Sequence, residues 1–241
     1  MHDRQFTSYA LVGSGRVAKQ LQFYLKSLRL PFVTWSRQAG AETLERVVAS
    51  SSHVLFAVKD DAIAELAFPW LESHKTLVHF SGAAQIPGVH VAHPLMTFGP
   101  NLEPLAWYKQ IPFVIDEGDQ FANLLPGLPN FSWTLPEHQR PLYHALVSLA
   151  GNSSYLLWQK IGAEFERMGL PRSLLSPFLH QVVENAAQNL PGGFTGPVAR
   201  GDWKTVAKHT AALTQTDLGE SYKDFLALAQ RTGLPVPQEI L

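Results

Sequence analysis

Short apolar runs alternate with helix-like stretches along residues 1–135 of the chain. Apolar, partly β-branched runs predict strands at 9–13, 31–36, 53–58, 75–82, 89–94 and 111–116. Apolar residues at helical spacing predict helices at 16–28, 42–51 and 61–71. Strands that alternate with helices indicate βαβ units and a mainly parallel sheet. The first part of the chain is therefore predicted to be an α/β domain.

The pattern changes after the segment FSWTLP at 131–136. Residues 137–169 follow one long helical pattern that ends at a glycine, and helical patterns also cover 173–190, 203–213 and 221–233. None of these stretches alternates as a strand does. We therefore predict two domains: an α/β domain at 1–135 and a smaller, all-helical domain at 136–241.

A glycine motif stands between the first predicted strand and the first predicted helix. It reads G-x-G-x-x-A and consists of Gly13, Ser14, Gly15, Arg16, Val17 and Ala18. In a dinucleotide site the first glycine makes the tight turn, and the second lets a pyrophosphate approach the backbone at the helix N-terminus. The alternative is an ordinary strand–helix turn. Because the motif opens the first βαβ unit of an alternating chain, it favours a Rossmann-type, dinucleotide-binding domain.

The end of the second predicted strand indicates which dinucleotide binds. NAD sites usually place an acidic residue there to hold the ribose 2′-hydroxyl, whereas this chain has Trp35, Ser36 and Arg37. A hydroxyl and a guanidinium can bind a 2′-phosphate that a carboxylate would repel. The pattern favours NADP(H), and the alternative is that Arg37 is simply an exposed loop residue. Ser81 and Gly82 end the fourth predicted strand, where nicotinamide and substrate are expected to meet.

Composition excludes several classes of protein. The 241 residues are 46% hydrophobic and carry a formal net charge of −1, with no cysteine. A chain of this kind lacks the basic footprint of a nucleic-acid binder, and it can form neither a disulfide scaffold nor a thiolate zinc site. We expect a cytoplasmic protein without a signal peptide or membrane span. His90 and His93 lie three apart in an extended segment and point to opposite faces, so we expect no metal site.

Several motifs resemble one family. They are the glycine motif, residues 35–37, the segment AVKDD at 57–61, HPLMTF at 93–98, AGNSSYLL at 150–157 and TGPVARGD at 195–202. Together they resemble the Rossmann-like family in the 6-phosphogluconate-dehydrogenase-like superfamily whose helical half is catalogued as a domain of unknown function. The resemblance implies that Val58, Lys59 and Asp60 also line the cofactor site. Some members are thought to be third-type ketopantoate reductases.

The resemblance also implies an activity. We expect NADPH-dependent reduction of a small 2-keto acid, with ketopantoate as the first candidate. An imine reductase of the pyrroline-carboxylate type and a non-catalytic, NADP-binding regulatory protein are the alternatives. The regulatory alternative stays open because Ser148 stands where many relatives have a catalytic lysine.

Four residues are candidates for the chemistry. Asn152 matches the asparagine that related dehydrogenases direct at the substrate, and His93 is a candidate proton donor because its unperturbed pKa is near neutral. Arg200 can clamp a carboxylate with Thr195 beside it. The alternatives are a structural hydrogen bond for His93 and a local ion pair for Arg200, while Asp202 is expected to cap the next helix.

The helical domain also predicts self-association. A thin helical layer buries its apolar side chains poorly when it stands alone. Such side chains are frequent in the second half of the chain and include Leu156, Leu157, Trp158, Phe178 and Phe225. We therefore expect a homodimer.

Overall fold

The computed structural model of the protein describes residues 7–188 and 192–240. The chain divides into two compact units, Met1–Gly151 and Asn152–Leu241. The change from strands to helices follows Leu135, as the sequence pattern predicts, while the first helix after the sheet still belongs to the first unit.

A seven-stranded sheet forms the first unit. Its strands are β1 (Tyr9–Val12), β2 (Phe32–Trp35), β3 (His53–Phe56), β4 (Thr76–His79), β5 (His90–Pro94), β6 (Phe113–Asp116) and β7 (Ser132–Leu135). Their order is β2-β1-β3-β4-β5-β6-β7, and all neighbours are parallel except β5 and β6. The predicted α/β class and mainly parallel sheet are confirmed, and β7 forms within the segment where the sequence pattern changes.

Helices cover both faces of the sheet. They are α1 (Arg16–Ser27), α2 (Ala41–Ala49), α3 (Asp60–Ala67), α4 (Leu105–Lys109), α5 (Phe121–Leu124) and α6 (Arg140–Ser148). One core packs α1, α4 and α5 against side chains such as Leu11, Leu55 and Ile115. The other packs α2 and α3 against the opposite face, around Val54 and Phe56. Strands β1 and β3 are buried at every position, and all of their residues except His53 are apolar, because both of their faces are covered.

The second unit is all helical among the residues that the structure describes. Its helices are α7 (Ser154–Arg167), α8 (Leu175–Ala187), α9 (Pro197–Arg200), α10 (Trp203–Leu213) and α11 (Gly219–Arg231). The long helix predicted at 137–169 is interrupted: a 3-10 turn precedes α6, and a π-helical segment, Leu149–Ser153, separates α6 from α7. The unit's core lies among α9, α10, α11 and the C-terminal segment, around Val206 and Leu226.

Candidate functional site

A cleft of about 550 Å³ opens in the first unit at the carboxyl ends of its central strands. Eleven of the twelve residues predicted to bind the cofactor line it: Gly13, Ser14, Gly15, Arg16, Val17, Ser36, Arg37, Val58, Lys59, Asp60 and Ser81. Gly82 does not line the cleft and follows directly after Ser81. The aromatic and aliphatic part of the wall comes from Trp35, Phe56, Leu66 and Phe80, which the motif alone did not single out.

The two glycines of the motif have different physical roles. Gly13 has a φ of +136°, and a Cβ there would lie 2.2 Å from the carbonyl oxygen of Ala57. Gly13 is therefore required for the close packing of the turn against the end of β3. At Gly15 a Cβ would meet nothing within 4 Å. Its missing side chain leaves open space beside the N-terminus of α1.

The N-terminus of α1 is suited to an anion. Gly15 is its N-cap and has no side chain to occupy the first N–H groups, and the first turn carries no acidic residue. Those N–H groups and the helix dipole favour a phosphate at this end of the helix. The lining residues thus fit the pyrophosphate of a dinucleotide.

The edge of the cleft near β2 is cationic. Arg37 begins the 3-10 turn after β2, where Ser36 also borders the cleft. Arg16, Arg37 and Lys59 make no ion pair with any other residue that the structure describes. Trp35 is buried, and its indole N–H donates to the carbonyl oxygen of Gly40 at 2.8 Å, which fixes the turn that carries Arg37.

At the opposite end of the cleft, Ser81 connects the cleft lining to a buried histidine. Its hydroxyl donates to Asp60 Oδ2 at 2.7 Å, and its backbone N–H donates to His79 Nδ1 at 3.2 Å. Burial lowers the pKa of His79 to about 4. Because Nδ1 accepts a hydrogen bond, the neutral ring carries its proton on Nε2.

His93, the predicted proton donor, lies next to Gly82. A Cβ on Gly82 would lie 3.0 Å from His93 Nε2 and 2.3 Å from His144 Nδ1, so only glycine fits between these rings. His93 Nδ1 and the hydroxyl of Tyr143 are hydrogen bonded at 2.8 Å. Burial, followed by the neighbouring His144 and Arg140, lowers the pKa of His93 to about 4, so the ring is neutral near pH 7.

The other three catalytic candidates belong to the second unit. Asn152 lies exposed in the π-helical segment before α7. Thr195 comes before helix α9, Arg200 is the last residue of that helix, and both are exposed. Gly196, the N-cap of α9, has a φ of +103°. Asp202 caps α10 by accepting from the backbone N–H of Thr205 at 3.1 Å, which confirms its expected role.

A second, smaller cleft of about 270 Å³ is acidic. Asp116, Asp119 and Glu137 line it together with His90, which is hydrogen bonded to Asp119 at 3.0 Å. His90 and His93 do point apart, as their spacing predicts. Among residues 7–188 and 192–240, no group of three or more histidines and carboxylates is placed to hold a metal ion. No described helix is both long and apolar enough to cross a bilayer.

The family comparison concerns the second half of the chain. Residues 117–231 match the model of DUF2520, a domain of unknown function. The predicted resemblance to a Rossmann-like family with an uncharacterised helical domain is confirmed, whereas the resemblance to ketopantoate reductases stays a prediction. No curated protein sequence matches the chain.

Solved structures share the fold over nearly the whole chain. BF3122 from Bacteroides fragilis, classed provisionally as an NADP oxidoreductase, is 21% identical over 93% of this chain and 97% of its own, with a TM-score of 0.71. Protein TM1727 from Thermotoga maritima is 22% identical over 92% and 97%, with a TM-score of 0.68. A reductive aminase from Aspergillus terreus, in complex with NADPH and ethyl-5-oxohexanoate, is 12% identical over 98% of each chain, with a TM-score of 0.66. These similarities show the architecture of a Rossmann-type domain followed by a helical domain.

Proposed function

We propose that the protein is an NADP(H)-dependent oxidoreductase. The observation that carries the proposal is the open space at Gly15, where a side chain would fill the place of a pyrophosphate at the N-terminus of α1. Two proteins of similar fold support the same choice of cofactor: BF3122 is classed provisionally as an NADP oxidoreductase, and the reductive aminase is in complex with NADPH. When bound, NADPH supplies a hydride.

The cationic end of the cleft favours NADP(H) over NAD(H). No acidic residue directly follows β2, and Ser36 and Arg37, which line the cleft there, would bind a ribose 2′-phosphate. Because no described carboxylate pairs with Arg37, its charge is available to the phosphate. Lys59, at the start of α3, adds a second positive charge to the wall.

For the substrate, we propose a small 2-keto acid, with ketopantoate as the first candidate. Hydride addition to a carbonyl carbon places negative charge on its oxygen, so a hydrogen-bond donor is needed there. His93 is neutral near pH 7 and donates through Nε2 when Tyr143 donates to Nδ1. Asn152 is proposed to orient the same carbonyl group, and Arg200 with Thr195 is the sequence-based candidate for the carboxylate.

Imine reduction is the second candidate. The reductive aminase supports it, because that protein shares the fold and was crystallised with NADPH. A panel containing 2-keto acids, cyclic imines and ketone–amine pairs, followed by loss of NADPH absorbance, separates the two activities. NADPH binding without turnover of any compound in this panel would instead support the third alternative, a non-catalytic regulatory protein.

The cofactor is tested by calorimetry. We expect NADPH to bind at least about tenfold more tightly than NADH, since one charge-assisted bond contributes about 1.5–3 kcal/mol. Arg37→Ala should remove most of that preference. Arg46→Ala, which changes an exposed arginine of α2 outside the cleft, is the matched control and should leave it intact. Equal affinities in the wild type would contradict the choice of NADP(H).

Gly15→Val tests the pyrophosphate site. The side chain meets open space, so the variant should keep the circular dichroism spectrum of the wild type. It should nevertheless lose NADPH binding, because the branched side chain occupies the cofactor's place. A folded variant with unchanged affinity would show that the motif is only a turn.

Asn152→Ala tests the reaction. If its amide stabilises the developing charge, kcat should fall by roughly 10²–10³-fold. Steady-state kinetics with ketopantoate and NADPH measure this, and Asn185→Ala, at a half-buried asparagine of α8, is the control. An unchanged kcat in an enzyme that does reduce ketopantoate would contradict the assigned role.

A further inference from the structure

A cluster of buried hydrogen-bond donors lies on one face of the sheet, beneath α6. His93 pairs in register with Val114, so the two share a face. Asp116 lies two residues beyond Val114, and Val91 lies two residues before His93, so both share it as well. His79 pairs with Val91 and therefore faces the same side. The cluster thus draws on β4, β5 and β6.

Helix α6 covers this face with its first turn and a half. Arg140, Tyr143 and His144 are spaced three and four residues apart and form one side of the helix. Two bonds hold them to the sheet: Arg140 Nε donates to Asp116 at 2.5 Å, and Tyr143 is hydrogen bonded to His93. The first bond is also an ion pair, in which the Arg140 side chain is 0% exposed.

Several donors of the cluster have no acceptor. Both Nη atoms of Arg140 and Nε2 of His79 are buried and make no hydrogen bond with any residue that the structure describes. The residues themselves are completely buried, each with 0% exposure. Buried donors without partners are unfavourable and rare in native proteins. An acceptor that binds at this place would satisfy them.

The chemistry of the donors specifies the acceptor. Arg140 keeps its positive charge, and its free edge presents two planar NH₂ groups, which match the two oxygens of a carboxylate. Nε2 of neutral His79 adds another donor without another charge. A single water oxygen accepts only about two hydrogen bonds, which is fewer than these N–H groups offer.

The cluster adjoins the cofactor cleft. Ser81 lines that cleft and donates its backbone N–H to His79, while Gly82 lies directly against His93 and His144. The charge of Arg140 acts on His79, His93 and Tyr143, as the direction of its effect on each pKa shows. A carboxylate bound here would lie next to His93, the residue proposed to donate to the carbonyl oxygen of the substrate.

We propose that Arg140 and His79 form a carboxylate-binding subsite, so that the substrate is an acid whose carboxylate is held within the first unit. This inference rests on the proposed function and makes it more specific. It replaces Arg200 by Arg140 as the residue that binds the carboxylate. Asp116 positions the guanidinium by holding Nε and leaves the other edge to the ligand.

The test measures binding of ketopantoate and 2-oxoisovalerate, each paired with its uncharged methyl ester, to the NADP⁺-saturated protein by calorimetry. Each acid should bind the wild type at least about tenfold more tightly than its ester, a difference of about 1.4 kcal/mol. Arg140→Met should abolish that preference by weakening the acid and not the ester. Arg46→Met, which changes an exposed arginine of α2, is the matched control and should leave it unchanged.

A second measurement covers the case in which Arg140→Met does not fold. In the ¹⁵N-labelled wild type, the acid and not the ester should shift the Nη signals of Arg140 and the Nε2 signal of His79. Signals that stay unmoved by a bound acid overturn the subsite, as does an acid that binds no more tightly than its ester. A wild type that does not bind NADPH contradicts the proposed function itself, whereas normal NADPH binding without acid preference contradicts only the subsite.

Discussion

The two units of the chain differ in how they bury their apolar side chains. In the first unit, the strands β1 and β3 are buried residue by residue, and helices cover both faces of the sheet. In the second unit, α7 and α8 bury only Gly162 and Leu175 between them. Leu156, Phe178 and Val183 remain exposed, at 62%, 63% and 50%.

This difference shows which unit buries its apolar side chains without a partner. The first unit has the cores and hydrogen bonds that a stable domain requires, and it carries both the cofactor cleft and the donor cluster. In the second unit, the described core is confined to α9, α10, α11 and the C-terminal segment. An apolar surface of this extent on α7 and α8 is typical of an interface. We propose that a second copy of the chain covers it.

The largest expected effect is in the first unit, at Gly13. Gly13→Ala places a Cβ 2.2 Å from the carbonyl oxygen of Ala57 at a φ of +136°, where an alanine is strained in any surroundings. We expect the free energy of unfolding to fall by more than about 4 kcal/mol. Urea denaturation measures it.

Gly15→Ala is the matched control, because its Cβ meets open space at an ordinary φ. It should cost at most about 1 kcal/mol, the usual penalty for alanine at an N-cap. Equal losses at the two glycines would refute the packing role of Gly13.

The next effect is acid destabilisation of the first unit. The pKa of His79 falls to about 4 in the folded chain because of burial, against about 6.5 when unfolded. Folding therefore favours the neutral form of His79. The stability that depends on this neutral form is fully present above pH 6.5 and is lost as the pH falls towards 4. The loss should be about 3 kcal/mol at most.

Urea denaturation between pH 7 and pH 4 measures this contribution. His79→Gln cannot titrate in this range, so its stability should depend less steeply on pH than that of the wild type. His74→Gln, which changes a histidine outside the buried cluster, should retain the wild-type dependence. Parallel pH profiles for wild type and His79→Gln would contradict the neutral, buried state of His79.

The smallest expected effect concerns the apolar surface of the second unit. Phe178→Asp places a charge on α8 and should weaken self-association by roughly 10–100-fold, which corresponds to about 1.4–2.8 kcal/mol. Light scattering over a concentration series measures it. Phe68→Asp, at a 75% exposed phenylalanine of the first unit, is the control. A wild type that is monomeric at every concentration would show that the face has some other role.

Local patterns predicted the fold and most of the residues that line the cleft, because both depend on short-range signals. Six strand predictions each contain one observed strand, and the glycine motif lies at the carboxyl end of β1 as its spacing implies. The cationic residues after β2 could also be predicted, because the sequence shows directly that Ser36 and Arg37 stand where NAD sites usually have an acidic residue. The predicted roles of Asn152, Thr195 and Arg200 stay predictions.

The donor cluster was not predictable from the sequence. Arg140 lies within an ordinary helical pattern, and His79 ends an apolar strand like any other. Asp116, which holds Arg140, lies beside the start of β5 because β6 runs antiparallel to β5, and a reversal of that kind leaves no periodic signal.

The positions of these residues along the chain also set an order of assembly during synthesis. The lining of the cofactor cleft extends from Gly13 to Ser81, whereas the donor cluster is not complete until Arg140 has been added. Tyr9 in the first strand donates to the carbonyl oxygen of Pro126 at 2.6 Å, so the early strands also acquire a late partner. A chain that leaves the ribosome from its N-terminus thus has all the residues of the proposed dinucleotide site well before it has those of the proposed carboxylate subsite.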